Sequence, residues 1–149
     1  MRTINRVILH CSATKEDQDI DAATIRSWHT SPPRNWSDIG YHFVVKLDGT
    51  IESGRSINRV GAHTKGHNKD SIGICYIGGL DCSGHPKNTM TMPQSIAIKR
   101  LCRALCLVLL QPLYLHGHRE YSSKACPSFE VSEVFQSLQE WMACPDFSI

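Results

Sequence analysis

The sequence predicts a single α/β domain built on a mixed central β-sheet flanked by helices. The chain has 149 residues, which is the size of one domain. Short β-branched and apolar runs alternate with stretches of helical periodicity, the pattern of strands that are connected through helices. A turn signal between two neighbouring runs adds an antiparallel hairpin, so the sheet should be mixed. We take the domain to be residues 1–149, with its core at about 4–142.

The chain begins with a predicted buried strand over Ile4–Cys11. Because this strand ends near His10, that side chain lies where functional sites are usually built. A short helix should follow from an Asp21 N-cap through about His29, and Ser31-Pro32-Pro33 should end it. We expect the helix to bury one face. That face contains Ile25, Trp28 and His29.

The middle of the chain predicts a hairpin and a third strand. The segments 41–47 and 50–52 flank Asp48-Gly49, a signal for a two-residue type I′ turn. Alternation places Tyr41, Phe43, Val45 and Leu47 on one side of the first strand. Residues 61–68 are polar and contain glycines, so they predict a loop, and 71–77 predict another strand.

The second half predicts the main core helix. Thr91 and Gln94 match a capping box ahead of a helix over about 92–110. A short strand at 113–116, a loop at 116–127 and a last amphipathic helix from Val131 follow. The apolar positions of the core helix have helical spacing. They are Ile98, Leu101, Cys102, Leu105, Val108 and Leu109.

Composition excludes several classes of protein. Sixteen basic residues against 14 acidic ones give a net charge of +2, too small to indicate a nucleic-acid partner. The longest apolar run, Ala104 to Leu110, is far too short to span a membrane. Seven unevenly spaced cysteines without a signal peptide argue against a secreted disulfide scaffold and favour synthesis in a reducing cytosol. We read Cys75, Cys102 and Cys106 as buried, and Cys82 and Cys144 as exposed.

The segment 116–127 contains the residue types that carry chemistry. A histidine and a cysteine eight residues apart on a loop can bind one metal ion, and His10 could add a third ligand. Three protein ligands leave one position of zinc open for water, which is the catalytic pattern. Spacing alone leaves other interpretations open, because His10 and Tyr41 could be core residues. His63, Lys65 and His67 could likewise belong to a solvated loop.

Several ordered motifs resemble one protein family. The chain is similar to the type 2 N-acetylmuramoyl-L-alanine amidases, most nearly the T-odd bacteriophage lysozymes, which are relatives of the peptidoglycan recognition proteins. The resemblance covers about Ile4 to Trp141. The motifs that carry it are His10-Cys11-Ser12-Ala13-Thr14, Gly40-Tyr41-His42-Phe43, Gly61-Ala62-His63, Gly66-His67-Asn68, Ser71-Ile72-Gly73-Ile74 and Lys124-Ala125-Cys126-Pro127.

The resemblance implies a zinc centre and its chemistry. It makes His10, His118 and Cys126 the Zn²⁺ ligands, with Tyr41 and Lys124 as the catalytic pair. His118 is preferred to His116 because it precedes the cysteine by eight residues, as in the phage enzymes. Relatives that only recognise peptidoglycan lack the cysteine, so its presence indicates an active enzyme.

The implied substrate is the amide that joins N-acetylmuramic acid to L-alanine in peptidoglycan. We expect Tyr41 to orient water or assist proton transfer, and Lys124 to face the oxyanion. His63, Lys65, His67 and Asn68 are the expected wall of the substrate groove.

The expected protein is a phage or prophage endolysin, made in the host cytoplasm without a signal peptide and active on the cell wall after release. We expect it to be a monomer. Some phage relatives also bind their RNA polymerase, but only nine residues precede His10, a short arm that argues against this partner. Three alternatives remain: a cytosolic muropeptide-recycling amidase, a non-catalytic peptidoglycan-binding or regulatory module, and a metal-free enzyme with a Cys126 nucleophile and a His118 base.

Overall fold

A computed structural model describes residues 1–148 and contains a five-stranded mixed sheet with helices on both faces. The sheet order is β4-β3-β5-β1-β7, with only β4 antiparallel to its neighbour, and β2 and β6 form a separate parallel pair. This architecture confirms the predicted fold class. The elements are β1 Arg6–Cys11, β2 Thr14–Lys15, α1 Ala22–Thr30, β3 Phe43–Val45, β4 Ile51–Ser53, β5 Ser71–Tyr76, β6 Gly79–Leu80, α2 Met92–Leu109, β7 Tyr114–Gly117, a 3₁₀ helix His118–Glu120, α3 Val131–Val134 and α4 Gln136–Ala143.

The side chains of strand β1 alternate between the two faces of the sheet, one that packs in the main core and one that carries His10. Val7, Leu9 and Cys11 join the large core cluster that α2 and α4 cover. Since side chains alternate along a strand, His10 lies on the opposite face. That face carries a smaller cluster in which α1 contributes Ile25. The alternation of β1 therefore aims His10 away from the main core.

Helix α2 is joined to the sheet through its first turn. The predicted capping box is present: Thr91 Oγ1 accepts from the Gln94 backbone, and the Gln94 side chain accepts from the Thr91 backbone. Gln94 is fully buried, and its Nε2 donates to the carbonyls of Val45 and Ile77 at 3.2 and 2.9 Å. One amide side chain thus caps the helix and fixes it over the ends of β3 and β5.

The type I′ turn predicted for the hairpin is wrong. Gly49 N–H donates to the Lys46 carbonyl at 2.8 Å, and Gly49 has a φ of 87°, whereas Leu47 and Asp48 do not have positive φ. A type I′ turn needs two left-handed residues, so this loop instead belongs to the class with a glycine bulge. Tyr41 also lies outside the strand and packs with Val44, not with Phe43 and Val45 as alternation predicted.

Two predicted core residues are exposed. Trp28 is 43% exposed because α1 buries only Ala22, Ile25 and His29, and its ring instead borders a surface depression. Val108, near the end of α2, is 72% exposed and lines a cavity together with Met1.

The last predicted helix is two helices. The chain leaves helical geometry at Phe135, which has φ −119° and ψ 28° and is almost fully buried. Its ring lies 6.1 Å from that of Phe129, so α3 and α4 meet around an aromatic residue inserted into the core.

The cysteine predictions are confirmed within the described residues. Cys75, Cys102 and Cys106 are buried, Cys82 and Cys144 are exposed, and residues 1–148 contain no disulfide. Over the same residues, no helix combines the length and apolarity needed to cross a bilayer.

We predict that Gln94→Leu lowers the free energy of unfolding by about 2 kcal/mol, because it removes the cap and the donors to two buried carbonyls. Chemical denaturation would measure the change. Gln136→Leu is the matched control, since Gln136 is exposed and should change stability by less than about 0.5 kcal/mol. Equal effects of the two substitutions would contradict this role of Gln94.

Candidate metal centre and substrate groove

Three of the predicted site residues meet at the carboxyl ends of two parallel strands. Strands β1 and β7 pair in parallel with Leu9 opposite Gly117, so the next residue of each chain segment is a histidine. Ligand atoms of His10, His118 and Cys126 all lie within 4.8 Å of one another. The register of the sheet therefore brings together two side chains that are 108 residues apart.

Cys126 reaches this point through a loop that is held at three places. Tyr76 Oη donates to the Pro127 carbonyl at 2.6 Å, and Arg119 Nε donates to the Ala125 carbonyl at 3.1 Å. The Cys11 N–H donates to Cys126 Sγ at 3.2 Å. A backbone donor aimed at sulfur favours the thiolate, the form that binds metals.

Electrostatics keeps both histidines neutral. Burial lowers the pKa of His10 well below its usual value, and the neighbouring histidines and Lys124 lower it further. Burial and Lys124 also lower the pKa of His118. Hydrogen bonding with the Cys11 side chain, followed by burial, raises the pKa of the Cys126 thiol more than the Cys11 N–H lowers it, so ionisation of this thiol calls for a nearby positive charge. Two neutral imidazoles and this thiol could hold a metal ion.

The three residues lie at the junction of two depressions. A cavity of about 380 Å³ is lined by Trp36, Lys65 and Tyr121 on one side. A second, of about 220 Å³, is lined by Trp28 and Arg34 on the other. Both also contact His118 and Lys124, so the surface forms one groove with the cluster at its centre.

Tyr41 and Lys124 flank the cluster in different environments. The Tyr41 ring lies 5.1 Å from that of His10, and burial, followed by the nearby cysteines, raises its pKa well above the usual value. Tyr41 therefore stays protonated and can donate a hydrogen bond. Lys124 is exposed at the groove, where its charge is available to a ligand.

The four residues predicted to form the groove wall have different environments. Lys65 is exposed and lines the larger cavity. His63 lines the same cavity, and it also contacts the His/His/Cys cluster, because its Nδ1 lies 2.9 Å from His10 Nε2. Burial, followed by His42 and His118, lowers the pKa of His63 to about 3, so the ring is neutral.

Asn68 and His67, in the same loop as His63 and Lys65, contact its backbone and a neighbouring aromatic ring. Asn68 Oδ1 accepts from the N–H groups of His63 and Thr64, each at 2.9 Å. The His67 ring stacks on Tyr121 with centroids 4.1 Å apart, and Arg6 donates to Tyr121 Oη at 3.0 Å. Asn68 thus shapes the loop while also lining the cavity.

Sequence reasoning missed three residues of the site. Thr64 is almost fully buried and lies 3.3 Å from His10 Nε2, although it belongs to a loop that composition describes as polar. Trp36 and Tyr121 line the groove. Both are aromatic residues inside polar loops, a pattern in the sequence that could have indicated their place in the groove.

A His/His/Cys cluster in a groove, at the carboxyl ends of parallel strands, has the arrangement of an enzyme active site. Residues 1–129 match the family model of N-acetylmuramoyl-L-alanine amidase. The chain is 42% identical over 130 residues to an endolysin of Escherichia phage T7, covering 87% of this chain and 84% of that protein. It is 40% identical over 136 residues to an endolysin of Klebsiella phage KP32, covering 89% and 85%.

A solved structure supports the same assignment. The N-acetylmuramoyl-L-alanine amidase LysC from Clostridium intestinale URNW superposes with a TM-score of 0.76 at 29% identity, covering 92% of this chain and 86% of that one. The chain belongs to the N-acetylmuramoyl-L-alanine amidase family, and the amidase activity predicted from the sequence is confirmed.

We predict that Asn68→Ala loosens the groove loop, because two backbone N–H groups lose their acceptor, at a cost of about 1 kcal/mol. Amide hydrogen exchange should accelerate at His63 and Thr64. Asn58→Ala is the matched control, since Asn58 is exposed in a neighbouring loop. Unchanged exchange at both amides would show that Asn68 does not hold the loop.

Proposed function

We propose that this amidase is a zinc-dependent endolysin that cleaves the bond between N-acetylmuramic acid and L-alanine, with His10, His118 and Cys126 as zinc ligands. The observation that carries the proposal is the convergence of these three side chains within 4.8 Å at the groove. Imidazole and thiolate are ligands that zinc prefers, and three of them leave a position for water. The phage relatives support a role in lysis.

The residues around the cluster each have a distinct task in this reaction. Zinc held by His10, His118 and Cys126 would supply a bound water with a pKa lowered toward ~7 and would polarise the scissile carbonyl. Lys124 presents its positive charge to the oxygen on which negative charge develops. Tyr41, held protonated by burial, donates a hydrogen bond that orients the attacking water or the carbonyl. The Cys11 N–H stabilises the Cys126 thiolate.

The shape of the groove fits a substrate with two arms. Because the cluster lies between two depressions, one can hold the sugar and the other the stem peptide, with the scissile amide at the junction. Lys65 lines the larger cavity, so its charge is placed to meet a carboxylate of the peptide. His63, His67 and Asn68 complete or support this wall.

The phage relatives also support a place of action: the enzyme is made in the host cytoplasm and reaches the cell wall after release. A muropeptide-recycling enzyme would use the same chemistry on a different substrate. Rates on intact sacculi and on soluble muropeptides separate the two roles. A preference for sacculi supports the endolysin, and activity confined to soluble fragments supports recycling.

We predict that a strong chelator abolishes activity and that added zinc restores it. Digested peptidoglycan should then show new L-alanine amino termini and no new reducing sugars. Cys126→Ser should lose zinc, whereas the exposed Cys82→Ser should keep it. Full activity in the chelated enzyme would instead support the thiol mechanism with Cys126 as nucleophile.

We predict that Lys124→Met lowers turnover by about 10²–10³-fold, because it removes one stabiliser of the oxyanion, while zinc content stays unchanged. Lys124→Arg should retain part of the activity, since it keeps the charge. Lys99→Met, on the exposed face of α2, is the matched control. Wild-type turnover in Lys124→Met would remove this residue from the mechanism.

A further inference from the structure

The two ring nitrogens of His10 face different surroundings. Nδ1 lies on the side of Cys126, 3.8 Å from its Sγ. Nε2 lies 2.9 Å from His63 Nδ1 and 3.3 Å from Thr64 Oγ1. A neutral imidazole has one N–H and one lone pair, so the partner of Nε2 determines whether Nδ1 is free to bind a metal.

The hydrogen bonds behind His63 determine where its own proton lies. Ser71 Oγ donates its single proton to the His67 carbonyl at 2.7 Å. Its oxygen can therefore only accept from His63 Nε2, which lies 3.3 Å away. In its singly protonated form the His63 ring thus carries the proton on Nε2, and its Nδ1 is an acceptor.

The position of the proton on His63 determines the position of the proton on His10, the proposed metal ligand. Since His63 Nδ1 accepts, His10 Nε2 must donate, and the lone pair of His10 lies on Nδ1, facing Cys126. The Thr64 hydroxyl agrees with this order, because it can accept from His10 Nε2 and donate to His63 Nδ1 at 3.0 Å.

We propose that Ser71 and His63 form a positioning relay that fixes the tautomer and orientation of His10, so that Nδ1 is presented to the metal. The inference rests on the proposed zinc centre and assigns His63 a structural task behind the ligand in addition to its place in the groove wall. Both are positioning residues, because they act through His10.

The packing around His63 supports the relay independently of the hydrogen bonds. A Cβ at Gly73 would lie 2.6 Å from His63 ring atoms, and one at Gly61 would lie 2.8 Å from His63 Cδ2. Gly73 does not have positive φ, so no backbone requirement explains this glycine. The absence of side chains at the two positions makes the space that the His63 ring occupies.

The first test measures the tautomers in the metal-free protein. Long-range ¹H–¹⁵N NMR on histidine-labelled protein should show the proton of His10 on Nε2 and that of His63 on Nε2. Ser71→Ala should produce a mixture of His63 tautomers, and Ser95→Ala, on α2, should leave both rings unchanged. A His10 proton on Nδ1 in the wild-type protein would overturn the proposal.

The second test measures zinc affinity by competition with a chelator. His63→Leu should weaken binding by about 10–100-fold, the usual effect of losing such a partner. His63→Asn should recover most of the affinity, because its Oδ1 can replace the Nδ1 acceptor. If His63 serves only the substrate, both variants will bind zinc like the wild type and differ only in KM, and the relay is then wrong.

Two further variants test the relay if His63→Leu fails to fold. Gly73→Ala retains every polar group but displaces the ring, and it should weaken zinc binding in the same direction as His63→Leu. Ser71 lies outside the groove, and Ser71→Ala should weaken zinc binding by a few fold. Wild-type affinity in both would overturn the relay. A wild-type protein that binds no zinc would instead contradict the proposed function, while the NMR test would still apply.

Discussion

The parallel register of β1 with β7 is the constraint on which the site depends. It pairs Leu9 with Gly117, so that His10, near the end of β1, and His118, directly after β7, lie at the same edge of the sheet. Antiparallel pairing would place the ends of the two strands at opposite edges. The register is in turn maintained by the alternation of β1, because a slip of one residue would turn Leu9 out of the core and His10 into it. The core that stabilises the protein therefore also positions the two histidines.

Burial determines the chemistry of the site as well as its stability. Removing His10, His118 and His63 from water disfavours their charged forms, and the charge of Lys124 acts on the first two in the same direction. The result is a set of neutral rings, each with one lone pair that can bind a metal or accept a hydrogen bond and one N–H that can donate. The same burial raises the pKa of Tyr41 and keeps its hydroxyl a donor. A single physical cause thus keeps the imidazoles uncharged and the phenol protonated.

Local patterns in the sequence predict the fold better than they predict the site. The capping box of α2, the Asp21 cap and the β1 strand depend on neighbouring residues, and the structure contains all three. Spacing alone did not separate His116 from His118. The structure shows the difference: His116 lies within β7 and contacts Glu120 at 2.9 Å, whereas His118 follows the strand end. The environment of Thr64 and Ser71 could not be predicted, because it depends on how a polar loop folds against the sheet.

The loop at residues 61–68 both lines the groove and contacts His10, and the same backbone determines the two sets of contacts. One side of it lines the groove through Lys65 and Asn68, and the other side holds His63 against His10. Asn68 connects the two, since it lines the cavity and accepts from the backbone of His63. A change in the loop that alters the groove will therefore also move the ring that contacts His10, a proposed metal ligand. In the proposed zinc enzyme, this loop would couple substrate recognition to the metal centre, because the backbone that shapes the groove also holds the ring against His10 Nε2.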